Sequence, residues 1–97
     1  MYKVIWSDDA ESDYYNTLVF WTKHNKSNSY SKKLITNVER KINYLIQNPN
    51  SGIATNFHNT YKVPILKYFS LYYRLSEQTI EIIAFWDNRR NPENLEL

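Results

Sequence analysis

The sequence predicts an α+β fold in the order strand, helix, helix, strand, strand, strand. The two helices form a hairpin packed on one face of a small, antiparallel-rich sheet. Three observations predict it. Two successive stretches, residues 8–23 and 29–47, carry apolar side chains at helical spacing. The segment 69–86 is dense in β-branched and aromatic residues and is broken only by Ser76, Glu77 and Gln78, a hairpin-loop length. The 97 residues, 42% of them hydrophobic, allow one domain, residues 1–97, with one core. Two amphipathic helices need an apolar surface to cover, and one face of a sheet supplies it.

Residues 2–6, YKVIW, form the first strand. The first helix starts at Asp8, with Glu11 three residues on as in a capping box. Asp9 and Asp13 add carboxylates at the positive end of the helix dipole, so this acidic cluster needs no metal to explain it. Ala10, Tyr14, Leu18 and Trp21 make one face, and the helix runs to about Lys23. Residues 25–29 are a polar break. The second helix, 29–47, buries a stripe of Leu34, Ile35, Val38, Ile42, Leu45 and Ile46, and the Asn48–Pro49 step stops it. Tyr14, Tyr30 and Tyr44 sit at helical spacing and read as helix-packing residues.

Residues 48–60 read as a loop, and residues 61–66 as the second strand. Pro64 places that strand at a sheet edge or bulge. In the third strand, 69–75, alternation puts Phe69, Leu71, Tyr73 and Leu75 on one side and Ser70, Tyr72 and Arg74 on the other. The second set is expected on an open face, because an unpaired Arg74 would cost several kcal/mol to bury. Lys62 is expected to share that face. The fourth strand, 79–86, ends at Asp87, Asn88, Arg89 and Arg90, and a polar tail, 91–97, follows.

Several function classes are excluded. Gly52 is the only glycine, so glycine-rich phosphate loops are absent. With no cysteine there are no disulfides or thiolate metal sites, and two histidines on separate elements make a weak zinc case. No apolar run approaches the roughly 20 residues of a membrane helix, and the first residues lack a signal pattern, so the expectation is a cytoplasmic protein with no cofactor, metal or membrane partner. Net charge is only +2. Its distribution is uneven: Lys23, Lys26, Lys32, Lys33, Arg40 and Lys41 are opposed only by Glu39. Such a basic face suits a phosphate backbone or an acidic protein, and it equally suits plain solvation.

The segments VIWSDDAESD, INYLIQNPNSG and LKYFSLYYRLSEQTIEIIAFWDNRR, taken in this order, resemble the RelE/ParE family of bacterial toxins over nearly the whole length. The ending FWDNRRNP looks like one subgroup of that family. The resemblance implies the toxin component of a type II toxin-antitoxin module, an agent of growth inhibition and plasmid stabilisation held inactive by a cognate antitoxin. It implies two modes of action. RelE-like members cleave mRNA on the ribosome without a metal, using basic residues and a nearby acid or base. ParE-like members inhibit DNA gyrase. Ribonuclease members place an arginine near the start of the third strand, where this chain has Ser70, and no His or Tyr follows Arg89 and Arg90 as a proton donor. The expectation therefore leans to the gyrase mode, with ribosome-dependent cleavage as the alternative and an inactive interaction module as a second.

The candidate target or nucleic-acid contacts are Lys62, Lys67, Tyr72, Arg74, Arg89 and Arg90. Arginine suits phosphate because its donors are forked and always charged. Arg74, Arg89 and Arg90 are also the candidates for stabilising a cleaved phosphate. His58 is the candidate acid or base, since imidazole titrates near neutrality. Tyr72 is placed to stack on a base. Asp87 is a candidate to orient Arg89 or to serve as a base. The plainer readings are Arg74 paired with Glu81 across the hairpin, Arg89 and Arg90 solvated, Asp87 capping a turn, and both histidines on the surface.

Overall fold

The computed structural model describes all residues, 1–97. The chain enters through strand β1 (Lys3–Trp6) and turns into helix α1 (Asp8–Asn25). The cap is Ser7, not Asp8: its side-chain oxygen accepts the Ala10 N–H at 3.1 Å, and its backbone is extended. A short hydroxyl there reaches an orphan donor of the first turn. Asp8, Asp9 and Glu11 occupy that turn instead, where the dipole favours them. The helix ends at Lys26, in the left-handed conformation, with its N–H turned back onto the last turn.

Helix α2 (Ser29–Gln47) returns antiparallel and stops at Asn48. Leu34, Val38 and Leu45 are fully buried, while Ile35 lies at the surface. Tyr14 stacks on Trp6 and tilts against Phe85, each with ring centroids 5.1 Å apart. Tyr30 packs on Trp21 at 5.3 Å. Tyr44 does not pack: it is 57% exposed, because it lies on the outward side of α2.

The sheet has five strands in the order β1-β5-β4-β3-β2. Strand β2 (Ile53–Ala54) lies inside the segment expected to be loop, and pairs only with Tyr61 and Lys62 of β3 (Thr60–Ile65). Pro64 lies beyond that pairing, on a stretch of β3 with a free edge, where its missing N–H costs nothing. Strands β4 (Phe69–Ser76) and β5 (Thr79–Asp87) form the central hairpin. β1 runs parallel to β5, from Lys3 beside Thr79 to Trp6 beside Ile82, so the sheet is mixed.

The helix-side face carries the core. Phe69, Leu71 and Tyr73 are buried there, as their alternation predicts. Between Tyr72 and Tyr73 the register of β5 slips by one, so Ile83 is an extra residue and Ala84 pairs with Tyr72. This bulge changes the parity of β5. Ile80 and Ile82 face the helices before it, and Phe85 does so after it. Tyr73 also closes the loop after α2: its hydroxyl donates to the Pro49 carbonyl and accepts the Gly52 N–H, both at 2.9 Å. A Cβ on residue 52 would lie 2.8 Å from the Tyr73 ring, which is why the one glycine stands there.

The opposite face is not open along its whole length. Tyr72, Ala84 and Trp86 form a second small core, each 7% exposed, covered by Ile83 and by Leu95 and Leu97 of the tail. A 3-10 turn, Pro92–Asn94, folds the tail back onto the sheet. Tyr72 therefore has no free ring face for a base, contrary to expectation. Burial raises the pKa of its hydroxyl.

Candidate functional site: the arginine turn at the end of β5

Strand β5 ends in a turn built by Asp87. Its carboxylate accepts the backbone N–H of Arg89 at 3.0 Å, and its carbonyl accepts that of Arg90 at 3.0 Å. Asn88 extends the ladder by donating to the Tyr68 carbonyl at 2.7 Å, and its side chain accepts a hydrogen bond from Ser70 Oγ at 3.0 Å. Ser70, 5% exposed, is thus a buried brace for this turn rather than a surface group.

The turn sends the two arginines to different aromatic seats. Arg89 lies over Tyr68, 4.5 Å from the ring centroid, and within 5.6 Å of Trp21. Arg90 lies over Trp86, at 4.4 Å, on the far face of the sheet. Arg89 is held again from below. Its Nε and Nη2 donate to the two Asp87 carboxylate oxygens at 3.0 and 2.7 Å, a forked ion pair. These hydrogen bonds hold the Asp87 carboxyl below its usual range, and burial opposes them. No carboxylate pairs with Arg90: the Asp87–Arg89 bridge is the one ion pair in the protein. Between α1 and the end of the sheet lies a cleft of about 480 Å³, lined by Asp13, Trp21, Phe85, Asp87, Arg89 and Arg90, among others.

The remaining candidates lie elsewhere. Arg74 is in register with Glu81, but its Nε donates to the Thr60 hydroxyl at 3.2 Å and makes no ion pair. Thr60 in turn donates to the His58 carbonyl, so His58 meets this group through its backbone while the residue lies exposed. Lys62 stands two residues further along β3, opposite Tyr72. The five residues of β4 from Phe69, beside Asp87, to Arg74 therefore separate Arg74 from the arginine turn by roughly 17 Å, at about 3.3 Å per strand residue. Lys67 is at the arginine end: it caps the β3–β4 turn with its ammonium 5.4 Å from the Tyr68 ring. His24 stacks on Phe20 at the end of α1.

The structure thus brings Lys67, Arg89 and Arg90 to one end, leaves Arg74 and His58 at the other, and sets Lys62 midway between. The site has cations on aromatic faces and a carboxylate already spent on Arg89. It is equipped to grip a polar surface. Sequence reasoning missed Trp21, Tyr68 and Trp86 as arginine seats. The signal was present, since Trp86 and Tyr68 flank the hairpin ends that the arginines close. No three His, Asp or Glu side chains are grouped to hold a metal ion. No helix is long and apolar enough to cross a membrane.

A search of curated proteins finds no match. Among solved structures, the chain is similar to one described as the chromosomal ParDE TA system from P. aeruginosa. The TM-score is 0.72 at 14% identity, over 90% of this chain and 96% of that one. It is also similar to a YoeB/ParE toxin from Agrobacterium tumefaciens, with a TM-score of 0.64 at 17% identity, over 88% of this chain and 96% of that one. At such identities the likeness is one of fold: two helices on a mixed five-stranded sheet. The family model for the ParE toxin of the type II toxin-antitoxin system, parDE, matches residues 4–92. That match spans the arginine turn as well as both layers, and the chain accordingly belongs to the ParE toxin family.

Proposed function

We propose that this toxin works by gripping its target rather than by cleaving RNA, that the target is DNA gyrase, and that a cognate antitoxin neutralises it by covering part of its surface. One observation carries the reading. The basic groups that cleavage would need around a single phosphate are parted by roughly 17 Å of the central hairpin, with Arg74 at one end and Arg89 and Arg90 at the other. Ser70, at the position where ribonuclease members resemble one another in carrying arginine, is buried against Asn88. In-line displacement needs its charge-stabilising groups within hydrogen-bond reach of one site. A binding toxin needs only an exposed, rigid grip. Arg90, supported by Trp86 and without an acidic partner, supplies one. The FWDNRRNP ending supports, in this reading, one subgroup of the RelE/ParE family.

The test is gyrase supercoiling with purified toxin, run beside primer extension on cellular mRNA after induction. Blocked supercoiling with intact mRNA is the expected result. New cuts inside translated frames, with supercoiling untouched, would replace it by the ribosome-dependent, metal-independent endoribonuclease. Unimpaired growth on induction would reduce the chain to an inactive interaction module. The reading also expects a small acidic protein with a DNA-binding half in the neighbouring reading frame.

A further inference from the structure

The arginine turn leaves most of the chain's positive charge unused. Helix α2 carries Lys32, Lys33 and Arg40 on its outer side, all exposed. With Thr36, Asn37 and Leu66 they line a groove of about 370 Å³ between the helix and the β3–β4 turn. None of these cations has an ion-pair partner. Glu39, the one acid on α2, lines a different groove, beside Trp6 and Tyr14. The acidic cluster Asp8, Asp9, Glu11 and Asp13 is on α1, at its N-terminal half.

The groove is also built, not merely charged. Leu66 is held with φ of 51°, in the left-handed region that a branched side chain avoids. Asn37 accepts the Leu66 N–H at 3.3 Å, tying that strained turn to α2. Strain of this kind persists where surrounding structure over-determines it. The turn so held carries Lys67 as its next residue, with its ammonium 5.4 Å from the Tyr68 ring. Lys33 and Arg40 are about two turns apart, roughly 10 Å along the helix axis.

We propose that this face of α2, with the Lys67 turn, binds the phosphate backbone of duplex DNA without reading its sequence. The groove offers cations, a hydroxyl and an amide, which are the groups that contact phosphates. It has no aromatic lining on which to stack an unpaired base, as single-strand sites do. A basic helix face can lie along the phosphates that border the major groove of B-form DNA, about 12 Å wide, and not in the narrow major groove of duplex RNA. The proposal stands whether or not gyrase is the target.

Fluorescence anisotropy with a labelled random-sequence DNA duplex, titrated at several salt concentrations, tests it. Binding at low salt that weakens linearly with log salt is expected. The double variant Lys33→Gln/Arg40→Gln should bind at least tenfold more weakly, with a salt slope shallower by about 2, one for each lost phosphate contact. Arg40→Glu should weaken binding well beyond Lys3→Glu, which makes the same change in net charge from the edge strand β1. Circular dichroism confirms that each variant is folded. Three outcomes would overturn the proposal: no binding at low salt, equal losses for Arg40→Glu and Lys3→Glu, or a preference for duplex RNA or for single strands over duplex DNA.

Discussion

Arg89 and Arg90 are neighbours in sequence and opposites in role. Arg89 is clamped by Asp87 and lies over Tyr68 and Trp21, so it ties the end of β5 to the helix layer. Arg90 rests on one indole and keeps its donors free. Arg90→Ala is therefore expected to relieve growth arrest at least tenfold in plating assays while changing stability by no more than about 0.5 kcal/mol, the usual range for a surface change. Asp87 carries a pH dependence. The Arg89 hydrogen bonds depress its folded pKa, so its contribution to stability is complete above the unfolded pKa and is lost as pH falls through the folded one. Melting curves taken from neutral pH to below about pH 4, the ordinary aspartate range, should show a smaller acid-induced drop for Asp87→Asn than for the parent. Tyr73 gives a third test. Removing its hydroxyl by Tyr73→Phe leaves the Gly52 N–H without its acceptor and the Pro49 carbonyl without its donor, and is expected to cost about 1–3 kcal/mol in a urea titration.

At the scale of elements, the tail matters more than its polarity suggests. Leu95 and Leu97, two residues apart, lay their side chains on Tyr72, Ala84 and Trp86. The double variant Leu95→Ala/Leu97→Ala should lower stability by about 1–3 kcal/mol, since both side chains are only partly buried. It should also raise the fluorescence of a hydrophobic dye, by exposing the second core. The helices, the central hairpin and the inward set of β4 were legible in the sequence because each rests on a local period or break. Less local features were not. Ser7 takes the cap because it alone is in place to reach the Ala10 N–H, a matter of about one residue in register. The covering of Tyr72 depends on where a distant tail folds, and alternation along β4 says nothing of it. The bulge at Ile83 left a trace in the parity change from Ile80 and Ile82 to Phe85, which a fixed period of two does not accommodate.

For the molecule as a whole, charge is sorted by surface: acids on the start of α1, cations on α2, and arginines at the sheet's end. The candidate site was legible only in its residue types. That Lys67, Arg89 and Arg90 share one end while Arg74 and His58 share another, with Lys62 midway, follows from strand register, which single-sequence patterns do not encode. The same register ties β1 to β5: Ser7 Oγ donates to the Ile83 carbonyl across a separation of 76 residues. During synthesis β1 therefore has no strand partner until β5 has been made, which makes this pairing the least local in the sheet. Arg90 follows β5 directly and takes its seat on Trp86 only once that strand is in place. On the proposed reading a half-made chain has nothing to hold with, because the strand that completes the sheet also carries the arginine that would arm it.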